Sequence, residues 1–253
     1  MSSGEPTTTP SVHSSFKQAL TTAARILVVI SVIGFLGGFF IPTKRSGPRI
    51  PIVRAKNEIS QLEQAIVAYK ANYSRWPMTS NALRHDSSDF TYGTFGVDMQ
   101  ERITVINPRP RHQANNSEIV TILMAVPHPA YNPDHTNNPL KKEFLNPKRS
   151  TEDGKPGLGP KDNIYRDPWG MPYIISIDLN GDGMTQDAFY SSAKVSQSPT
   201  GGINGLRSLS GSGPNEYGLK GSVMIWSFGP DRKADPNIPA NEGVNADNIL
   251  SWK

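Results

Sequence analysis

Ala55–Tyr73, AKNEISQLEQAIVAYKANY, is the stretch on which the fold turns. Ile59, Leu62, Ile66, Tyr69 and Tyr73 recur at steps of three and four, which sets one apolar stripe on an amphipathic helix. Trp76-Pro77 closes it, since proline removes a backbone donor and disfavours helix in the residue before it. A short coiled coil would give the same stripe, but the repeat is not sustained over several heptads. The stripe is therefore expected to pack on a surface of its own chain.

Upstream, Pro42, Gly47, Pro48 and Pro51 predict a linker over residues 43–54. Before it lies Ile26–Ile41, ILVVISVIGFLGGFFI, with no charge and one hydroxyl. A spanning helix wants about 20 apolar residues. Ala23 and Ala24 extend the run to membrane length if Arg25 snorkels to the headgroups, so residues 23–42 read as a transmembrane anchor. A cleaved signal peptide fits less well, because Phe39, Phe40, Ile41 and Pro42 offer no small-x-small site. Residues 1–22, rich in Ser, Thr and Pro at their start, read as a disordered cytoplasmic tail.

Charge gives a contrary topology. Lys44, Arg45, Arg49, Arg54 and Lys56 follow the anchor, against Lys17 and Arg25 before it, so the positive-inside rule alone puts the domain in the cytoplasm. With a net charge of +4, such a flank suits anionic lipid better than nucleic acid. The absence of cysteine excludes disulfides, zinc–thiolate sites and thiol nucleophiles. Among 253 residues, 22 Pro and 22 Gly predict many turns around a modest core.

Downstream, residues 55–253 read as one domain with an insertion at about 85–162. Within it, Glu118–Val126 predicts a short helix capped by Ser117, and Asn138–Asn146 a helical turn or an edge strand. His128, Asp134 and His135 read as a proline-rich loop rather than a transition-metal site. Asp167-Pro168-Trp169-Gly170 is a turn that positions Trp169. Strands are expected at Pro172–Asp178 and Ser222–Ser227, with a short third at Ala188–Ser191, giving a small antiparallel sheet. Asp178, Asn180 and Asp182 with Gly183 repeat the first half of an EF-hand loop, yet Phe189 stands where the bidentate Glu belongs. A plain hairpin is preferred there, with calcium as the alternative. Gly201–Gly213 lacks the GK[S/T] of a phosphate loop, and no nucleophile elbow, HExxH or dinucleotide fingerprint is present, so no enzymatic activity is expected.

Three stretches together carry a family resemblance. LVVISVIGFLG followed by LEQAIVAYKANYSRWPMTSNAL, then RDPWGMPYIISID (Arg166–Asp178), then WSFGPDRKAD…NADNILSW (Trp226–Trp252) resemble type IV pilin-like proteins, and especially the major pseudopilin of type II secretion systems. The resemblance implies an α+β, pilin-like fold: a long N-terminal helix, transmembrane then amphipathic, packed on a small antiparallel β-sheet. It implies a single-pass inner (cytoplasmic) membrane protein with its domain extracytoplasmic, in the periplasm, against the charge count. Its implied role is structural, in type II secretion or a type IV pilus-like assembly for protein transport. The implied partners are the lipid bilayer, assembly subunits or copies of itself, with no nucleic acid. It further implies a calcium ion in the last loop, at Ser227, Phe228, Asp231 and Asp247, with Asp235 nearby. Two positions depart from the family: Leu20 replaces the glycine needed for leader cleavage, and Arg25 replaces an acidic residue that guides fibre entry. A chain that is not processed normally and does not polymerise as an ordinary pilin is expected. The other function class is a membrane-anchored binding module for a glycan, protein or surface partner.

Overall fold

The computed structural model describes residues 49–83, 89–93, 113–209 and 216–253. The run Ile26–Ile41 expected to be an anchor, the expected tail before it, Leu20 and Arg25 lie outside the described residues. Helix α1 runs Arg49–Tyr73, α2 Ser80–Leu83, α3 Ser117–Leu123 and α4 Ala193–Ser196. Strands β1 (Phe90–Tyr92), β2 (Gln113–Ala114), β3 (Gly157–Leu158), β4 (Tyr165–Arg166), β5 (Ile174–Ile177) and β6 (Met184–Thr185) precede α4. After it come β7 (Gln197–Ser198), β8 (Gly201–Gly202), β9 (Arg207–Ser208), β10 (Tyr217–Lys220), β11 (Val223–Ser227) and β12 (Ile249–Leu250).

The principal sheet has five strands in the order β12-β11-β5-β1-β2. Its centre is the antiparallel pair of β5 and β11, with Val223 opposite Ile177 and Trp226 opposite Ile174. Successive side chains on a strand face opposite ways. Ile175, Ile177, Val223 and Ile225 accordingly join the core beneath α1, while Ile174, Met224 and Trp226 join a second core on the other face. The first core takes Ile59, Leu62, Ile66 and Tyr69 from α1 and Ile119, Ile122 and Leu123 from α3. The second takes Phe189, Tyr190, Val195, Leu206 and Phe228 from the turns and short strands that follow β5.

This arrangement corrects the expected pilin-like fold of one long transmembrane-then-amphipathic helix on one small antiparallel sheet. Beside the five-stranded sheet stand a three-stranded sheet, β6-β10-β9, and the two-stranded β3-β4 and β7-β8. The five-stranded sheet is mixed, because β1 pairs parallel with β2. Among the described residues no helix is long and apolar enough to cross a membrane. The physical reason for the extra sheets is β11: Val-Met-Ile-Trp-Ser is buried at every position, so a helix on one face leaves the other apolar face needing cover.

Local differences have local causes. Helix α1 starts within the expected linker, since Pro51 falls in the first turn, where the missing N–H has no intrahelical partner to lose. It ends before Trp76, where Ser74 turns left-handed (φ 53°) and its N–H donates to Lys70 O at 2.8 Å. Ala188–Ser191 is no strand: the Asp187 carboxylate accepts from both Phe189 N and Tyr190 N at 2.9 Å, folding the segment so that both rings are buried. Helix α3 forms where expected, but Ser117 is its first residue rather than its cap. Asn116 precedes it and donates to Tyr165 O and Tyr173 O while accepting from Tyr165 N. Asn138–Asn146 forms turns and irregular chain, neither helix nor strand.

Buried polar bonds tie these layers. Glu58 of α1 accepts from Tyr173 OH at 2.5 Å and from Arg54 Nε at 2.8 Å. Tyr69 OH donates to Asn137 O, and Trp76 Nε1 to Asp178 O at 3.0 Å. Leu62 has no polar atom and no exposure. Leu62→Ala should lower the unfolding free energy by about 2–5 kcal/mol through lost transfer energy and a residual cavity. Urea denaturation of the two proteins side by side checks this.

Candidate functional site

The loop after β11 is shaped by one close approach. At Gly229 (φ +71°) an added Cβ would lie 2.3 Å from Asp247 O, so only glycine lets the two stretches of backbone meet. Their meeting puts Asp231 against Asp247, whose Oδ2 accepts from Asp231 N at 3.2 Å. Asp247 Oδ1 is buried without a hydrogen-bond partner. Burial, then the Asp231 charge, pushes the Asp247 carboxyl above its ordinary range. Asn245 braces the far side of the loop, donating to Asp235 O and Ile238 O and accepting from Asp235 N.

Of the residues assigned to calcium, the structure thus brings Asp231 and Asp247 together, directly after Ser227 and Phe228. The Ser227 side chain is already engaged: its Oγ donates to Asp167 Oδ2 at 2.6 Å and accepts from Gly229 N. Phe228 packs on Trp226 with ring centroids 4.6 Å apart. Asp235 turns away to accept from Asn237 N at 2.8 Å. Among the described residues, no three Asp, Glu or His side chains group to hold a metal ion. Asp247, with an orphaned buried oxygen beside the Asp231 charge, suits a hard cation that takes its other ligands from backbone carbonyls and water, while Asp231 Oδ1 already accepts from Lys233 N at 2.8 Å.

Asp178, Asn180 and Asp182 do not suit one. Asp178 Oδ1 accepts from Gly181 N at 2.6 Å and Oδ2 from Gly183 N at 3.0 Å, so both oxygens are spent on the turn. Asp182 accepts from Asn180 Nδ2 and from Met184 N in the same manner. The loop is a self-satisfied connection between β5 and β6. In the loop that bears His128 and His135, His128 Nδ1 accepts from Ala130 N and Tyr131 N, and the His128 ring stacks on Tyr131 with centroids 4.5 Å apart.

Two residues near the C-terminal loop escaped the sequence reading. Asn248 is buried, donates to Tyr190 OH at 2.9 Å and leaves its Oδ1 unpartnered. Asp167 was read only as a turn residue, and its Oδ1 does accept from Trp169 N and Met171 N at 2.9 Å. Its second oxygen reaches Ser227 across 60 residues, a pairing for which no local pattern gives a signal.

A groove of about 410 Å³ runs beside α1, lined by Gln61, Gln64, Ala65, Ala68, Phe144 and Asn146. Its walls carry amides, an aromatic ring and no charge. Compared with family models, with curated proteins and with solved structures, the chain matches none.

Asp167 makes stability depend on pH. Burial, opposed by its hydroxyl and N–H donors, raises its carboxyl from 3.8 to about 7. A carboxyl raised in the folded state stabilises fully below its unfolded value and loses that contribution as pH rises through about 7. Three units correspond to about 4 kcal/mol. Asp89, raised to about 7 chiefly by burial, adds to the same slope. Urea midpoints should therefore fall from pH 4 to pH 8, and fall clearly less in Asp167→Asn.

Proposed function

We propose that the chain is a structural subunit of a type II secretion or pilus-like envelope assembly, without enzymatic activity. It is anchored in the inner membrane through Ile26–Ile41, with its domain outside the cytoplasm. One observation supports this reading: the described parts of the three stretches that resemble the major pseudopilin, residues 62–83, 166–178 and 226–252, are bonded to one another in the interior. Trp76, just after α1, donates to Asp178 O, and Ser227, in the last stretch, donates to Asp167, while Tyr173 donates to Glu58, which lies on α1 just ahead of the first stretch. Segments far apart in the chain thus form one connected unit. The intervening residues 113–162 lie against that unit through α3 and Asn137–Leu145.

Calcium belongs to the same proposal. Asp231 and Asp247 would hold it, assisted by backbone carbonyls near Phe228, and the ion would supply the positive charge that two neighbouring carboxylates lack. Its role would be to fix the loop between β11 and β12, a loop rich in Gly, Pro and Asn that buries few side chains.

A second reading rests on the groove at Gln61, Gln64 and Phe144, whose amides and ring would suit a membrane-anchored binding module for a neutral glycan. Capture from membranes separates the two: secretion-assembly subunits retained with the tagged full-length chain support the structural role, and retention of a glycan alone supports the module.

The calcium proposal has its own test. Calcium at a hundredfold excess over its dissociation constant should add about 2.7 kcal/mol to stability. Thermal melting of the full chain in calcium and in chelator should differ by several degrees, and Asp247→Asn should abolish the difference. Equal melting temperatures for the native chain would remove calcium from the proposal.

A further inference from the structure

The bonds that leave the Asp178–Asp182 loop closed to a cation arrange it for a different chemistry. The chain holds two Asn-Gly pairs, Asn180-Gly181 and Asn204-Gly205. Such a pair is reactive because glycine has no side chain to obstruct its backbone nitrogen, which attacks the amide carbon of the asparagine before it. The two pairs sit in different surroundings. Asn180, Gly181 and Asp182 are exposed to water in the turn after β5. Asp182 N donates to Asn180 Oδ1 at 3.0 Å, which bends the amide carbon back toward the Gly181 nitrogen that this bond spans. Gly181 N donates to Asp178 Oδ1 at 2.6 Å, and Asn180 Nδ2 donates to Asp182 Oδ2 at 3.0 Å. At Asn204 the backbone is left-handed (φ 56°, ψ 30°), which carries Gly205 N to the side away from Cβ, and Nδ2 is buried without a hydrogen-bond partner.

We infer that Asn180 is a site of self-modification, converting through a cyclic imide to aspartate and isoaspartate in the folded protein. Gly181 N bonds to Asn180 Cγ while Asp178 Oδ1 takes its proton. The Asp182 N–H faces the amide oxygen, where negative charge develops, as an oxyanion donor does. The Cγ–Nδ2 bond then breaks, and the nitrogen leaves as ammonia with a proton from solvent, while Asp178 returns its own proton to solvent. Water opens the imide at either carbonyl. One opening gives aspartate; the other gives an isoaspartyl link that adds a methylene to the backbone. Both products place a new carboxylate beside Asp178 and Asp182, and the isoaspartyl link also lengthens a turn whose Leu179 N is tied to Asp89. Conversion therefore loosens the connection between β5 and β6 as the protein ages.

This chemistry is independent of the proposed function. The full-length chain is held at neutral pH for weeks, folded and in urea, and the peptide bearing each Asn-Gly pair is followed by mass spectrometry for the exchange of NH2 for OH, with fragmentation that separates isoaspartate from aspartate. In the folded chain Asn180 should convert about tenfold faster than Asn204, and faster than it does itself in urea, where orientation is lost and the two pairs converge. Conversion of Asn180 that is slower folded than in urea would overturn the inference, as would a folded chain in which Asn204 leads. Asp178→Asn keeps the shape of the side chain but cannot take the proton, so it should slow the folded reaction by about a hundredfold and leave the rate in urea unchanged. An equal folded rate in that variant would overturn the role of Asp178. The comparison of folded chain with urea uses the native sequence, so it decides the site even where the variant relaxes the turn.

Discussion

The structure depends on a strand pair that is apolar on both faces. β5 and β11 are short, and their alternation sends isoleucines and valine toward α1 while sending Ile174, Met224 and Trp226 the other way. A sheet with two apolar faces is stable only between two layers. Helix α1 with α3 supplies one. The other is assembled from pieces too small to form a layer alone: the turn at Phe189–Tyr190, α4, the β6-β10-β9 sheet and the C-terminal loop. Many Gly and Pro residues are compatible with this, because the second layer is made of turns pinned by aromatic rings. Tyr190 touches Phe189, Trp226 and Trp252 with centroids between 5.0 and 5.3 Å.

Buried carboxylates hold these pieces with hydroxyl and N–H donors in place of cations. Asp187 accepts from Ser176, Trp226 Nε1 and two backbone N–H groups, locking the turn after β6 to both central strands. Asp89 accepts from Leu179 N and Gln186 N and so ties the start of the Asp178–Asp182 loop to the chain just beyond β6. Asp167 ties the DPWG turn to the end of β11. Each of these three has its pKa raised chiefly by burial. The cost of such sites is tolerable because each oxygen is supplied with donors. Asp247 differs, with one buried oxygen left without a donor, and that contrast singles it out within the acidic loops.

Much of the scaffold was legible where a periodic pattern met its partner locally. The stripe Ile59–Tyr73 gave α1 and its buried face, the Ser222–Ser227 and Pro172–Asp178 runs gave the central strands, and Glu118–Val126 gave α3. The candidate site was legible only as a set of acidic positions. That Gly229 lets Asp247 approach, or that Asp178 spends both oxygens on its own turn, follows from backbone geometry that Asp, Asn and Gly share across many turns. The strand expected at Ala188–Ser191 failed for the same reason, since Asp187 at its head folds the backbone more strongly than the aromatic pair extends it.

By itself the sequence determined the elements whose signal is periodic: an amphipathic helix with one apolar stripe, two apolar strands and a cysteine-free chain rich in turns. Only the tertiary structure decided that β1 and β12 complete the sheet, that β2 joins parallel, and that Asp167 meets Ser227 and Asp231 meets Asp247. Those outcomes rest on contacts between residues far apart in the chain, whose strength comes from excluded water and donor geometry and leaves no period in the sequence.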